Sequence, residues 1–257
     1  MGTVKSPAET VAWVRRFHPA PDAATRLVCF PHAGGAATFY FPVSRALSPT
    51  IDVLAIQYPG RMERRTEPCV DNVDELADLI AEQLGPWLDR PVTLFGHSLG
   101  ATVGFEVARR LEAAGMKPLS LFASGRMAPS RYRDDRVHTY DDDTLIEQLG
   151  RLSGTDARVL GDEEMLRMIL PTIRSDYRAV ETYRMRPGPQ LTCPITVLTG
   201  DNDPEVTLDE ARAWAGHTSG RFELTVLPGG HFFLTDHITA VLAQLTAQVA
   251  ARPSDLR

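Results

Sequence analysis

The residues best suited to chemistry in this sequence lie in segment 96–100, which reads GHSLG and matches the pattern GxSxG. The segment directly follows the apolar run VTLF and directly precedes a helical pattern. In that context GxSxG forms a sharp turn between a strand and a helix, and it presents the serine hydroxyl above the sheet. The start of the helix beneath the turn also favours negative charge that develops there. We therefore predict that Ser98 is the nucleophile of a covalent reaction.

A serine hydroxyl is a weak nucleophile unless a neighbouring base takes its proton, and the chain has seven histidines. Where GxSxG forms such a turn, the partners follow in the order serine, acid, histidine. His231 lies in the sequence PGGH, after the last strand pattern and before the last helical pattern. We predict His231 as the general base, in preference to His217, which closes a helix, and His237, which lies in the next helix. His138 also follows Ser98, but it falls in a helical interval.

The acid that orients the histidine should follow a strand between Ser98 and His231. The apolar run ITVLT ends in the sequence GDNDP, which offers Asp201 and Asp203 at one strand end. We favour Asp203, because the loop must travel outward before it turns back toward the histidine. Asp201 remains the alternative, since an aspartate at that place can simply bond to the amides of a turn.

An oxyanion hole completes the expected site. One donor should be the backbone N–H of Leu99, the residue after the nucleophile, and the other should come from a loop after an early strand. Segment 30–35, with the sequence FPHAGG, ends the first strong strand pattern and is similar to the HGGG-type loops of esterases. We predict the amide of Ala33 as the second donor.

The elements that must hold these residues alternate along the chain. Apolar runs bounded by turns predict six strands, and between them lie helical patterns such as those of 73–88, 101–114 and 235–250. Nearly continuous apolar runs are typical of strands covered on both faces, and alternation of strands and helices predicts a mainly parallel sheet. The fold class is α/β, and with the site residues the pattern favours an α/β-hydrolase fold with helices on both faces. The predicted strands are Arg26–Pro31, Ile51–Tyr58, Val92–Gly96, Leu119–Ser124, Ile195–Thr199 and Phe222–Leu227.

One interval breaks the alternation. Residues 125–190 hold no convincing strand pattern but carry helical patterns at Asp142–Arg151 and Asp162–Tyr183, with Pro171 inside the second as an expected kink or break. We call residues 125–190 the helical insertion, and predict that it forms a lid over the carboxyl edge of the sheet, where open α/β folds bind ligands. The alternative is that its helices only cover a face. We read 1–257 as a single domain that includes this insertion.

Composition limits the other possibilities. The chain has 257 residues, 43% hydrophobic and 23% charged, with a net charge of −6, which argues against a nucleic-acid binder. Its three cysteines are widely spaced, and no clustered Cys and His set predicts a metal site. No apolar run is long enough for a signal peptide or a membrane span. We therefore expect a cytoplasmic protein without metal or cofactor, and a monomer.

Several motifs together resemble one family, the type II thioesterases that accompany polyketide and nonribosomal peptide synthases. The resemblance covers the chain from about Leu27 onward and includes parts of the helical insertion. The motifs are FPHAGG at 30–35, YPGRMERR at 58–65, GHSLG at 96–100, LGRLSGTDARVL at 149–160, ILPTIRSDYRAVETY at 169–183, GDNDPEV at 200–206 and GGHFF at 229–233.

The resemblance implies hydrolysis of acyl thioesters from the phosphopantetheine arm of acyl or peptidyl carrier proteins, which clears stalled or misprimed units. The phosphopantetheine belongs to the partner, so the enzyme needs no cofactor. A fatty acyl thioesterase or a small-molecule carboxylesterase would share the same catalytic residues and remains the alternative. The short segment before Leu27 and the early end after the last helix favour a free-standing protein over an integrated synthase domain.

Carrier proteins of such systems are generally acidic, and this chain is acidic as well, so any attraction must be local. We predict that Arg61, Arg64 and Arg65, which follow a strand at its carboxyl end, dock the partner. A second arginine group lies where the chain enters the helical insertion, and a solvated arginine face paired with nearby acids is the alternative for both groups. The second group comprises Arg126, Arg131, Arg133 and Arg136.

The helical insertion also supplies apolar side chains for an acyl pocket. Methionine suits a pocket that accepts varied chains, because it is unbranched and adaptable. Ordinary packing of the helices is an equally good explanation for any one of these residues. The candidates are Met165, Met168, Ile169, Leu170, Tyr177 and Met185.

Overall fold

A seven-stranded sheet forms the centre of the protein. The computed structural model describes residues 12–152 and 163–250, apart from the side chains of residues 163–165 and 248–250. The spatial order of the strands is β1-β3-β2-β4-β5-β6-β7. The strands are β1 Val14–Arg15, β2 Arg26–Phe30, β3 Asp52–Ile56, β4 Val92–His97, β5 Ser120–Ser124, β6 Ile195–Gly200 and β7 Phe222–Leu227.

The sheet is parallel except at one edge. β1 runs antiparallel to β3, and every other neighbouring pair is parallel. The six strands predicted from apolar runs are all present, and within the described residues the two-residue β1 is the one strand that was not predicted. Every residue of β2 to β6 is buried, whereas β7 at the edge is half-buried. This burial explains the continuous apolar runs.

Helices cover both faces of the sheet and confirm the α/β class. Alternate residues of a strand point to opposite faces, so Leu94 packs with the core of one face and Phe95 with that of the other. α2 and α3 supply the first core, and α1 and α8 supply the second. The helices are α1 Phe41–Leu47, α2 Val73–Leu84, α3 Leu99–Ala113, α4 Asp142–Arg151, α5 Glu163–Thr182, α6 Leu208–Arg212, α7 Phe233–Asp236 and α8 Ile238–Ala250.

The described part of the helical insertion forms α4, α5 and a short 3₁₀ turn between β5 and β6. α4 has the bounds predicted for it, and α5 continues through Pro171 rather than breaking there. Leu170 and Ile173, on either side of the proline, are buried with Leu145 and Leu149 of α4, and this packing offsets the lost backbone hydrogen bond. Residues 153–160 of the motif at 149–160 lie outside the described residues.

Side chains cap the N-termini of α2 and α4. Asn72 accepts from the amide of Glu75 at 3.0 Å at the start of α2, and Asp141 accepts from the amide of Thr144 at 2.8 Å at the start of α4. Such caps stabilise a helix by about 1 kcal/mol each. Within the described residues, no helix is both long and apolar enough to cross a bilayer.

Candidate active site

Ser98 sits at a strained turn between β4 and α3. Its backbone has φ +54° and ψ −120°, a conformation that side-chain-bearing residues rarely adopt. Its amide donates to the carbonyl of Ser124 on the neighbouring strand at 2.8 Å, which holds the turn in place. Strain of this kind costs about 1–3 kcal/mol and is found at functional sites. The turn leaves the Ser98 side chain partly exposed at the carboxyl edge of the sheet.

The two glycines of the motif are required by close backbone contacts. A Cβ on Gly96 would lie 2.0 Å from the carbonyl oxygen of Gly100. A Cβ on Gly100 would lie 2.0 Å from the carbonyl oxygen of Phe30, at the end of β2. Only glycine lets the start of α3 approach β2 and β4 this closely.

His231 and Asp203 meet at the same edge. The Nδ1 atom of His231 lies 3.0 Å from each carboxylate oxygen of Asp203. His231 is 3% exposed, and the Asp203 carboxylate is fully buried. The carboxylate also accepts from the amide of Glu205 at 2.8 Å, so its orientation is held from a second side. Nδ1 therefore carries the proton toward Asp203, and Nε2 is left free to act as a base.

Asp201, the alternative acid, has a different role. Its Oδ1 accepts from the amide of Gly229 at 2.9 Å, and the residue is exposed. This contact links the loop after β6 to the loop after β7, which contains His231. Asp201 thus joins two loops at this edge of the sheet, which differs from the bond within its own turn that the sequence context allowed.

Ser98 and His231 open into one cavity of about 430 Å³. No hydrogen bond joins the Ser98 hydroxyl to His231 among the described residues, and such bonds often tighten only when substrate is bound. The other walls come from the loop after β2, from α4 and α5, and from Phe232 beside the histidine. The apolar wall residues are Ala33, Ala36, Phe39, Leu149, Leu152, Ile169, Ile173, Tyr177 and Phe232.

Two of the acyl-pocket candidates, Ile169 and Tyr177, line this cavity. The prediction is wrong for Met168, whose 68% exposure places it on the outer face of α5. Leu170 packs against α4, and Met185 packs against the main core, so both support the fold instead. The side chain of Met165 lies outside the described residues.

The loop after β2, residues 31–37, we call the oxyanion loop. It lies along the cavity beside Ser98. The amide of Ala33 donates to no group in the described part of the chain, so it is available to a ligand. Leu99 is the first residue of α3, where an amide has no partner within the helix. The Ala33 amide thus lies on a loop that lines the cavity, and Leu99 directly follows Ser98 there; their role as oxyanion donors stays a prediction.

Two further imidazoles surround His231, and the sequence reasoning missed them. The rings of His97 and His231 lie 5.0 Å apart, and those of His32 and His97 lie 6.0 Å apart. Burial, reinforced by the neighbouring His231, lowers the pKa of His32 to about 3 and holds the pKa of His97 well below its ordinary value. Both rings therefore stay neutral beside His231, the predicted general base. The position of His97 inside GHSLG was the available signal.

The predicted docking arginines differ in exposure. Arg61 is 7% exposed and forms a bidentate ion pair with Asp176 at 2.8 Å. Arg64 is 5% exposed, pairs with Glu67 at 2.6 Å and lies over the ring of Trp13. The docking prediction is wrong for these two, because a buried and paired guanidinium is not available to a partner.

Arg65 is exposed, and no acidic group of the described chain forms an ion pair with it, so its docking role stays a prediction. In the second arginine group, Arg133 pairs with Glu210 and Arg136 with Asp134. Arg131 is exposed, and Arg126 is partly buried.

Comparison with known proteins identifies the family. The model of the thioesterase domain matches residues 25–249. A probable cadicidin biosynthesis thioesterase from Streptomyces griseus is 55% identical over 233 residues, which cover 91% of this chain but 64% of that protein, less than two thirds of its length. Thioesterase PikA5 from Streptomyces venezuelae is 51% identical over 226 residues, which cover 87% of this chain and 80% of that protein.

A solved structure agrees with these relatives. The type II thioesterase BorB from the borrelidin biosynthetic cluster superimposes with a TM-score of 0.89 and 52% identity, over 93% of this chain and 98% of that one. The agreement confirms the α/β-hydrolase architecture predicted from the strand pattern and the GxSxG turn. The chain therefore belongs to the thioesterase family, and it groups with the type II thioesterases of polyketide and nonribosomal peptide biosynthesis.

Proposed function

We propose that this thioesterase hydrolyses acyl groups from the phosphopantetheine arm of acyl or peptidyl carrier proteins through an acyl-serine intermediate. The observation that carries the proposal is the position of Ser98 and of the His231–Asp203 pair at the wall of one apolar cavity. An apolar wall of this kind suits an acyl chain. The relatives named for cadicidin and borrelidin biosynthesis support carrier proteins as the source of the thioester.

In the proposed mechanism His231 takes the proton of the Ser98 hydroxyl as the oxygen attacks the thioester carbonyl. Asp203 holds the imidazole in the required tautomer and stabilises its charged form. The amides of Ala33 and Leu99 bind the oxyanion, and each such donor contributes roughly 10²–10³ in rate. His231 then protonates the departing thiol, which leaves on the arm of the carrier protein. Water repeats the sequence on the acyl-serine and releases the free acid.

The proposal assigns the helical insertion the role of a lid. Its α5 carries Ile169, Ile173 and Tyr177, and these side chains form one wall of the cavity over Ser98. A chain bound there would be shielded from water by α4 and α5. Removal of stalled or misprimed acyl units requires a cavity that accepts varied acyl chains. An aliphatic wall suits this requirement, because it limits the size of the bound chain more than its exact shape.

Mass spectrometry of carrier proteins loaded with different acyl groups, before and after treatment with the enzyme, tests the proposal. We expect free carrier thiol and free acid with several acyl groups, with slower turnover of the same acyl groups on coenzyme A and of nitrophenyl esters. The matched control is Ser98→Ala, which should fold normally, release no acid and lose its labelling by a fluorophosphonate. Preference for coenzyme A thioesters or simple esters would overturn the carrier assignment, and acid release by Ser98→Ala would overturn the mechanism.

A further inference from the structure

Asp176 links the helical insertion to the oxyanion loop. It lies on α5 and is fully buried, although it is a carboxylate. Its Oδ2 accepts from the amide of Gly34 at 2.8 Å, and its two oxygens accept from the guanidinium of Arg61 at 2.8 Å each. A helix residue thus bonds directly to the backbone next to Ala33, across 142 positions of sequence.

Arg61 holds the same loop from the other side. Besides its ion pair with Asp176, it donates to the carbonyl of Gly35 at 2.9 Å. Its guanidinium also lies over the ring of Tyr58, 5.0 Å from the centroid. One buried ion pair therefore bonds to the amide of Gly34 and to the carbonyl of Gly35, the two residues that follow Ala33.

Further contacts hold the rest of the oxyanion loop. The Tyr58 hydroxyl donates to the carbonyl of Pro31 at 3.2 Å, and the amide of Ala37 donates to the side chain of Gln57 at 2.8 Å. Gly34 has φ +73°, and a Cβ there would lie 2.7 Å from Ile173 of α5. The loop is packed tightly against α5, while the amide of Ala33 is left without an acceptor in the described chain.

A buried ion pair is poor evidence of stability, because removal of two charges from water costs about as much as their attraction returns. A rigid donor, in contrast, is what an oxyanion hole needs, since donors act when they are already in place as charge develops. A displacement of about 1 Å can cost roughly 10²-fold in rate. The Asp176–Arg61 pair therefore lies where the order that it gives to the oxyanion loop affects catalysis more than it affects the stability of the fold.

We infer that Asp176 and Arg61 are positioning residues that hold the amide of Ala33 in the oxyanion hole, and that they couple this donor to the seating of α5 over the cavity. The inference rests on the proposed function. The oxyanion hole then depends on the helical insertion, because the Ala33 amide is held in position only when α5 is packed over the cavity.

The variants Asp176→Asn and Arg61→Lys test the inference, with two readouts besides stability. The first is kcat and KM on an acyl thioester. The second is inhibition by the matching acyl trifluoromethyl ketone, whose adduct with the serine carries an oxyanion. We expect kcat/KM and the affinity for the ketone to fall in parallel, by about 10- to 100-fold. KM should change little, because the apolar cavity wall is intact.

Asp52 offers a matched control at the other end of the sheet. It is also a fully buried carboxylate, and it accepts from Arg16 at 3.0 Å, from Arg26 at 3.3 Å and from the amide of Ala20 at 3.2 Å. It begins β3, at the amino edge, away from the cavity. Asp52→Asn should lower Tm while kcat/KM and the affinity for the ketone stay within about twofold.

The double variant Arg61→Met with Asp176→Leu replaces both charged side chains with apolar ones. It further separates the effect on the order of the oxyanion loop from the effect on the stability of the fold. Replacement of both charges can keep the fold as stable as before, yet it removes the bonds to Gly34 and Gly35, so kcat and ketone affinity should still fall. If Asp176→Asn is insoluble, Arg61→Lys and this double variant decide the outcome. If the Asp176 and Arg61 variants lower Tm but keep kcat/KM and the affinity for the ketone, as is expected of Asp52→Asn, the inference is overturned and the proposed function is not affected. A wild-type protein that neither cleaves thioesters nor binds the ketone overturns the proposed function with it.

Discussion

The two carboxylates of the loop after β6 show how chemically equal residues acquire different roles. Asp203 is buried against the His231 ring, whereas Asp201 is exposed and accepts from the amide of Gly229. The buried carboxylate of Asp203 accepts from Nδ1 of His231 and so fixes the orientation of the ring. The exposed carboxylate of Asp201 instead joins the loop after β6 to the loop after β7.

Asp203→Asn should therefore reduce kcat on an acyl thioester by about 10⁴-fold, as an amide supports the wrong tautomer of the histidine. Asp201→Asn is the matched control, since it makes the same chemical change two residues away and should stay within about tenfold of wild type. Steady-state kinetics on one substrate measures both. Equal losses in the two variants would contradict the assignment of Asp203.

His97 should make the protein acid-sensitive. Burial holds its pKa well below 6.5 in the folded state, while in the unfolded chain it protonates near pH 6.5. As the pH falls, the unfolded state thus binds the proton before the folded state does. The contribution of His97 to the free energy of unfolding is therefore complete above about pH 6.5 and is lost as the pH falls below it. The free energy of unfolding should fall by up to about 1.4 kcal/mol per pH unit from this group.

Denaturant titrations between about pH 5 and pH 7.5 measure this dependence. His97→Asn should flatten the slope by roughly one proton. The control is His237→Asn, which replaces a histidine at the partly exposed end of α7. An unchanged slope in His97→Asn would show that other groups cause the acid sensitivity.

At the scale of elements, the site depends on how closely α3 approaches the sheet. The turn at Ser98 places the start of α3 between the ends of β2 and β4, and the carbonyl of Phe30 occupies the space that a side chain at Gly100 would need. The same approach fixes the start of α3, so that Leu99 directly follows Ser98, which lines the cavity. Strand, turn and helix therefore form one rigid support for the Ser98 side chain.

Gly100→Ala should destabilise the protein by about 3 kcal/mol or more, because backbone has to move to relieve the overlap. Gly150→Ala is the control, since a Cβ at that helical glycine of α4 would meet nothing within 4 Å. That variant should be neutral or more stable by up to about 1 kcal/mol. Thermal and denaturant unfolding of both measure the difference, and a neutral Gly100→Ala would contradict the close approach.

At the scale of the whole molecule, charge limits how the protein can meet an acidic partner. The net charge is −6, so long-range attraction to an acidic carrier protein is absent and docking must use local positive groups. Arg61 and Arg64 are excluded by burial, which leaves Arg65, at the end of the short 3₁₀ turn after β3, as the exposed member of that group.

Arg65→Glu should lower kcat/KM on carrier-bound acyl groups on the order of 10-fold, with a smaller effect at high salt, and leave small thioesters unaffected. Arg45→Glu provides the control, because Arg45 is exposed in the last turn of α1 and the charge change is identical. Kinetics on acyl-carrier protein and on a small thioester give the comparison. Equal effects of the two variants, or equal loss on both substrates, would remove Arg65 from the docking surface.

Much of the fold and part of the site follow from the sequence, because their signals are local. Apolar runs predict the six main strands, and GxSxG between a strand and a helix predicts the turn at Ser98. Parallel strands end at one edge, so residues that follow strands, such as His231, are expected to meet there. Each of these inferences depends on a few neighbouring positions.

The tertiary structure alone decided what depends on distant contacts. The sequence favoured Asp203 over Asp201, but only the structure shows the Asp203 carboxylate 3.0 Å from the His231 ring. The burial of Arg61 likewise depends on its pairing with Asp176, 115 positions away. From the sequence, a charged residue such as Arg61 is expected at the surface, since an unpaired charge is costly to bury. The partner of Arg61 lies on α5, a separate element, and no local sequence pattern predicts an ion pair that forms only when distant elements pack together.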